Sequence, residues 1–147
     1  MHSFRLSTGS AAVDAVFVHR YLSEETYWAK GIAFGTVRKA IDHSLCVGGF
    51  IGTEQVAFGR AVTDLATFAY LRDIFVVPPH RGKGYGKAIV QALMTQLIDN
   101  GVSGIMLATS DCHGLYEKFG FERLDGSPKL MRWNTDLVLP EAAKARE

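Results

Sequence analysis

The stretch Ile74-Phe75-Val76-Val77-Pro78-Pro79-His80-Arg81-Gly82-Lys83-Gly84-Tyr85-Gly86 constrains the fold more than any other part of the chain. Its first four residues are apolar without alternation, as expected of a strand covered on both faces. Pro78-Pro79 ends that strand, because proline lacks the N–H that a ladder needs. Over residues 83–98 the apolar side chains Ile89, Ala92, Leu93 and Leu97 recur at helical spacing, and Asn100-Gly101 supplies a stop. A buried strand therefore runs through a glycine-rich turn into the clearest helix of the chain. Such a junction offers unpaired N–H groups and the positive end of a helix dipole, and its glycines let an anion approach the backbone. Arg81 and Lys83 add charge where phosphates would sit.

Two familiar phosphate loops do not fit this spacing. A Walker A loop needs Gly-Lys followed by Ser or Thr, whereas Ala88 follows Gly86-Lys87; a dinucleotide fingerprint needs GxGxxG, whereas Gly86 follows Gly84 after a single residue. Taken alone, Gly82, Gly84 and Gly86 read equally well as a tight turn between strand and helix.

The rest of the chain reads as one domain. A strand over 3–7 leads to Ser10, a plausible N-cap for a helix to about Leu22. Tyr27, Trp28 and Gly31 fall in a connection, and a second helix covers 34–41. Residues 45–51 and 55–62 read as strands around Gly52-Thr53, a hairpin signal. The buried strand spans 70–77, another follows over 104–108, and a short helix over 113–119 stops at Gly120. Closing strands over 121–124 and 130–133 flank a turn at Asp125-Gly126-Ser127-Pro128. Residues 140–147 are polar and are expected to fray.

Composition excludes several classes. A length of 147 residues suits a single core and hence a single site. The net charge of +1 is spread along the chain, so no footprint for a nucleic-acid backbone exists and an anionic ligand must be met locally. Cys46 and Cys112 follow no metal or redox spacing, which points to a reducing compartment, by default the cytoplasm. Asp14 interrupts the apolar run near the start, so no signal peptide is read there, and no run approaches the roughly eighteen apolar residues of a membrane span. His2, His19, His43, His80 and His113 form no ligand-like pair, so no metal is expected.

Two blocks together carry a family resemblance. The segment from Val77 to Gly86 resembles the acetyl-CoA motif of the GNAT superfamily, whose core is [RQ]-x-x-G-x-[GA] after a strand and at the head of a helix. Leu115-Tyr116-Glu117-Lys118-Phe119-Gly120-Phe121 resembles the family's downstream L-Y-x-K-x-G-F signature, and one helix and one strand separate the blocks. The matching region covers about 70–124. The resemblance implies an α/β fold, α+β in layer terms: a mixed, mostly antiparallel twisted sheet flanked by helices, with a parallel, splayed strand pair at the cofactor site. It also implies a CoA N-acyltransferase using acetyl-CoA as cosubstrate, without a metal, on a small-molecule or peptide amine. A homodimer is compatible with it, and no membrane or nucleic-acid partner is expected.

The implied cofactor contacts are Phe75, Val76 and Val77 on the strand, Arg81, Gly82, Lys83, Gly84, Tyr85, Gly86 and Lys87 at the turn, and Thr109, Leu115, Tyr116 and Lys118 beyond. Where the family's pattern often has Asn and Ala, this chain has Thr109 and Cys112. Acyl transfer to an amine needs a deprotonated nucleophile, stabilisation of the oxyanion and a proton for the departing thiolate. Tyr116 is the candidate acid, since a phenol with a pKa of about 10 stays protonated at neutral pH; its alternative is packing beside Phe119 and Phe121. Asp73 interrupts an otherwise apolar strand and is the candidate to accept the amine's proton; its alternative is an ion pair with Arg72 or Arg60. Asp64 and Glu54 are weaker candidates. Cys112 lacks an arranged base and reads as packing rather than a nucleophile, and His113 reads as a surface residue. Tyr27 and Trp28 are the candidate acceptor contacts, with Phe34 and Tyr70 behind them. Two other functions share these features: a non-catalytic acyl-CoA sensor and a nucleotide-binding α/β protein.

Overall fold

A computed structural model describes residues 2–134; the fraying expected at 140–147 lies outside them. The elements run β1 (Phe4–Thr8), α1 (Ala15–Glu25), α2 (Phe34–Asp42), β2 (Leu45–Ile51), β3 (Glu54–Thr63), β4 (Phe68–Val76), α3 (Tyr85–Asp99), β5 (Gly104–Ala108), α4 (His113–Glu117), β6 (Phe121–Arg123) and β7 (Leu130–Trp133), with single 3-10 turns at Ser10–Ala12 and Pro78–His80. The strands form one seven-stranded sheet in the order β1-β2-β3-β4-β5-β7-β6. Among the described residues only β4 and β5 pair in parallel. A mixed α/β sheet flanked by helices, with one parallel pair, is the architecture the resemblance implies.

Alternation along the strands sorts the core into two layers. On one face α3 lays Ile89, Leu93 and Leu97 over Ala57, Ala61, Leu71, Ile105 and Leu107. On the other, Val18 and Leu22 of α1 and Val37 and Ile41 of α2 cover Cys46, Phe58 and Phe75. Each such fully buried aliphatic contributes about 1.5–3 kcal/mol. Glycine at position 59 permits the close seating of α3, since a Cβ there would lie 2.6 Å from Ile89 Cγ2.

The first helix begins later than the sequence pattern suggests. Ser10 lies in the 3-10 turn and caps nothing; Asp14 caps α1, accepting a hydrogen bond from the Phe17 N–H at 3.1 Å. Val13 is buried ahead of the cap, so the apolar run belongs to two elements rather than one helix. The Asp14 N–H donates to Gln55 Oε1 at 2.7 Å, a contact with β3 that fixes the helix entry and that no local pattern reveals.

The feature that makes a site is the divergence of β4 from β5. Their ladder runs from Phe68↔Gly104 to Leu71↔Leu107 and stops, although β4 continues to Val76. Asp73 has φ +54°, unusual for a non-glycine residue, and the β3–β4 register shifts between Phe58 and Arg60, which together mark a β-bulge. The bulge bends β4, and its β5-side edge beyond Leu71 is left without a ladder partner.

Candidate active site

The splay opens a cleft of about 820 Å³ between β4, β5, the α1–α2 connection and the N-terminus of α3. One end is made of backbone. Gly82 and Gly84 have φ +78° and +82°, which only glycine adopts without strain, and a Cβ on either would meet nothing within 4 Å. The first ladder bond of α3 is from the Ala88 N–H to Gly84 O at 3.0 Å. The N–H groups from Gly82 to Lys87 make no hydrogen bond with any described residue. They therefore form a run of donors at the positive end of a helix, the arrangement that receives a pyrophosphate.

The side chains around this loop hold it in place. Arg81 Nε donates to Val76 O and its Nη2 to the Tyr21 hydroxyl, both at 2.8 Å, so its guanidinium ties α1 to the end of β4 instead of reaching outward. Tyr21 stacks on Phe75 at 4.0 Å, and Tyr85 stacks on Phe4 of β1 at 3.9 Å. His80 lines the same end, and its Nδ1 is buried with no partner among the described residues. Orphaned donors, open glycine positions and an orphaned ring nitrogen all fit a polar, phosphate-bearing ligand such as CoA.

The other end is made of side chains brought from far apart in the chain. Trp28 Nε1 donates to Asp73 Oδ1 at 2.8 Å, and Arg60 Nε donates to Asp73 Oδ2 at 2.8 Å. The Arg60–Asp73 pair is almost buried, with side-chain exposures of 11% and 7%. Arg60 also reaches Ser44 Oγ through Nη1 at 3.0 Å. The Tyr27 hydroxyl donates to Ser110 Oγ at 3.1 Å, fastening the α1–α2 connection to the end of β5.

Tyr116 lines the same cleft. Its ring is 8% exposed and packs edge-on against Phe121, with centroids 6.0 Å apart. Its hydroxyl makes no hydrogen bond with any described residue. Burial, and after it the nearby Cys112 and Asp111, push the phenol well above its ordinary range, so it stays protonated. The Cys112 thiol is likewise raised, first by burial and then by Asp111, which keeps it a thiol. Thr109 accepts a hydrogen bond from the Cys112 N–H at 3.0 Å and helps set the start of α4.

Of the residues expected at the site, the cleft is lined by Tyr27, Trp28, Asp73, Phe75, Val76, Arg81, Gly82, Gly84, Tyr85, Gly86, Thr109, Leu115 and Tyr116. Side chains of Val77, Lys83, Lys87 and Lys118 are not part of that lining; Val77 packs with the α1–α2 core, and Lys118 caps α4. Tyr70 lines the cleft, whereas Phe34 packs edge-on against His19 away from it. Asp64 instead organises the β3–β4 turn, where hydrogen bonds from Thr67, Ala66 and Phe68 hold its carboxyl far below the usual range. Tyr21, Glu25, His80, Ser110 and Lys129 line the cleft beyond the expected residues, and so does Arg72, expected only as an alternative partner of Asp73, which pairs with Arg60 instead. Only His80, inside the motif, carried a local signal. Among the described residues no cluster of His, Cys, Asp or Glu is placed to hold a metal, and no helix is long and apolar enough to cross a membrane.

A splayed parallel pair, a glycine-rich turn at a helix N-terminus and a protonated tyrosine share one cleft in this mixed α/β protein. The family model described as the acetyltransferase (GNAT) family matches residues 15–121, and the chain belongs to that family. A candidate acetyltransferase of the family from Xanthomonas campestris pv. campestris, known from its crystal structure, is 49% identical, covers 85% of this chain and 88% of its own, and superposes with a TM-score of 0.79. A candidate acetyltransferase from Gibberella zeae is 27% identical, over 78% of this chain and 76% of its own length. A Mycobacterium tuberculosis protein crystallised in complex with CoA shares the fold, at 16% identity and a TM-score of 0.70, over 84% of this chain and 75% of its own. The chain spans 31%, 37% and 35% of the length of three plant relatives that it also matches.

Proposed function

We propose that the protein transfers an acetyl group from acetyl-CoA directly to a primary amine, both substrates being bound together. The observation that carries this reading is the Tyr116 hydroxyl: protonated, without a hydrogen-bond partner among the described residues, and in the lining of the cleft that the glycine loop and the Trp28–Asp73 pair share. When bound, acetyl-CoA supplies the activated thioester. The N–H groups of the 82–87 loop hold the pyrophosphate, and the unpaired edge of β4 beyond Leu71 offers backbone groups to the rest of the chain of the cofactor.

The amine nitrogen forms a bond to the acetyl carbon as the carbon–sulfur bond breaks. Tyr116 gives its proton to the leaving sulfur, and the proton lost by the amine returns to solvent, from which Tyr116 is reprotonated. Asp73, which lines the cleft at the bulge, is the group toward which this proton leaves. Its oxygens already receive Trp28 and Arg60, so it works through water held on its remaining lone pairs. A sensor that only binds acyl-CoA would have no use for such a phenol.

The test is release of free thiol from acetyl-CoA with a panel of primary amines, together with CoA binding measured calorimetrically. Amine-dependent thiol release that Tyr116→Phe largely removes supports the reading. CoA binding with no turnover on any amine replaces it with the sensor.

A further inference from the structure

We infer that the acceptor is a free α-amino acid with an apolar or aromatic side chain, its carboxylate received by Arg72. This rests on the transfer reading above and names its substrate. Arg72 lies immediately before the bulge, opposite Arg60 in the β3–β4 register, and lines the cleft with Tyr70 and Asp73. Its neighbours of opposite and like charge are already committed. Arg60 donates to Asp73 and Ser44, and both oxygens of Asp73 accept from Arg60 and Trp28. The Arg60–Asp73 pair is thus neutral, and Arg72 has no ion pair among the described residues.

The charges left unpaired in the cleft are of both signs. Glu25 and Asp111 line it as carboxylates, Arg72 and Lys129 as cations, and none of them is in an ion pair with a described residue. A cleft for a plain amine, which arrives as a cation, gains from carboxylates and loses from a free guanidinium beside the bulge. A zwitterion uses both. Its carboxylate matches the planar fork of Arg72, and its ammonium meets the carboxylate rim before losing a proton. Tyr27, Trp28 and Tyr70 supply aromatic surface for the amino-acid side chain. The products are an N-acetylamino acid and CoA.

The test uses the full chain at saturating acetyl-CoA with a panel of apolar and aromatic amino acids, each beside its amide and its decarboxylated amine. The free acid should be preferred in kcat/KM by roughly tenfold or more, the scale of one charge-assisted hydrogen bond. Arg72→Gln should collapse that ratio, mainly through KM for the acid, and Arg72→Lys should restore part of it. Tryptophan fluorescence gives a readout independent of turnover, because Trp28 is 43% exposed in the cleft while Trp133 is 5% exposed in the core. The free acid should perturb it, at roughly tenfold higher concentration in Arg72→Gln. Amides or decarboxylated amines used as well as the acid, or a ratio unmoved by Arg72→Gln, overturn this inference and leave the transfer reading standing, and acetylation confined to peptide N-termini does the same. No transfer to any amine overturns both.

Discussion

The two ends of the cleft are built on different principles. At the proposed cofactor end the lining is a contiguous stretch of backbone: glycines at φ +78° and +82° lead into the head of α3, where the N–H groups have no hydrogen-bond partner among the described residues. At the proposed acceptor end, side chains from α1–α2, β3, β4 and the end of β5 meet through hydrogen bonds such as Trp28–Asp73, Arg60–Asp73 and Tyr27–Ser110. A backbone site is written in a short motif and tolerates side-chain change, whereas a side-chain network depends on the register of distant strands. Substitutions should therefore separate the two ends by kind of defect, and Tyr116, in the same cleft, should belong to neither.

The largest effect is expected at Tyr116. Tyr116→Phe removes one hydroxyl and little volume, so turnover should fall by about 10²-fold or more while acetyl-CoA affinity stays near that of the parent. The defect should shrink with a thioester whose thiol is a better leaving group. Because burial raises the phenol, Tyr116 should remain an acid as pH rises, and the parent's kcat should show no alkaline loss from it up to about pH 10. A stopped-flow or thiol-release assay across pH checks both. Parent-like turnover in the variant would reduce Tyr116 to packing against Phe121.

Gly84→Val probes the backbone end. A β-branched residue at φ +82° is strained, and it projects into the open cradle, so CoA affinity should drop by about 10²-fold in calorimetry, with little change in the preference among amines. Unchanged affinity would break the assignment of the loop to the pyrophosphate.

Asp73→Asn probes the opposite end. It leaves the nearly buried Arg60 guanidinium without its anion, which should cost about 3 kcal/mol in denaturant unfolding. If Asp73 also draws the amine's proton, the rate profile should shift to higher pH, since more amine must then arrive neutral. Lost stability with an unmoved profile would make Asp73 purely a clasp for Trp28. The smallest effect is expected for Lys83→Ala. That side chain is absent from the cleft lining, and one exposed charge should change CoA affinity about threefold or less. A large loss would mean that side chains, not N–H groups, carry the phosphates.

The element pattern was legible wherever a periodic run ended on a strong signal. The β2–β3 hairpin around Gly52-Thr53, β5, and α3 with its Asn100 stop all lie within two residues of their expected limits. The start of α1 was not, because Val13 and Asp14 owe their roles to burial and to Gln55 on β3, both outside any local window. Asp73 stood out as a carboxylate in an apolar strand, and the alternative of an ion pair with Arg60 is what the fold realises. Its positive φ and its bond to Trp28, 45 positions away, carried no sequence signal.

The backbone geometry of Arg81-Gly82-Lys83-Gly84-Tyr85-Gly86 follows from local order: glycines, a proline stop and a helix start act within a few residues, so the turn into α3 was legible, whereas its reading as a phosphate cradle needed the resemblance of the downstream block as well. The acceptor end was decided by the tertiary structure. Ser44, Arg60, Asp73 and Trp28 become neighbours only when β3 and β4 pair across a bulge and the α1–α2 connection folds over them. Which charges neutralise one another, and which are left for a substrate, depends on distances that close only in the folded chain.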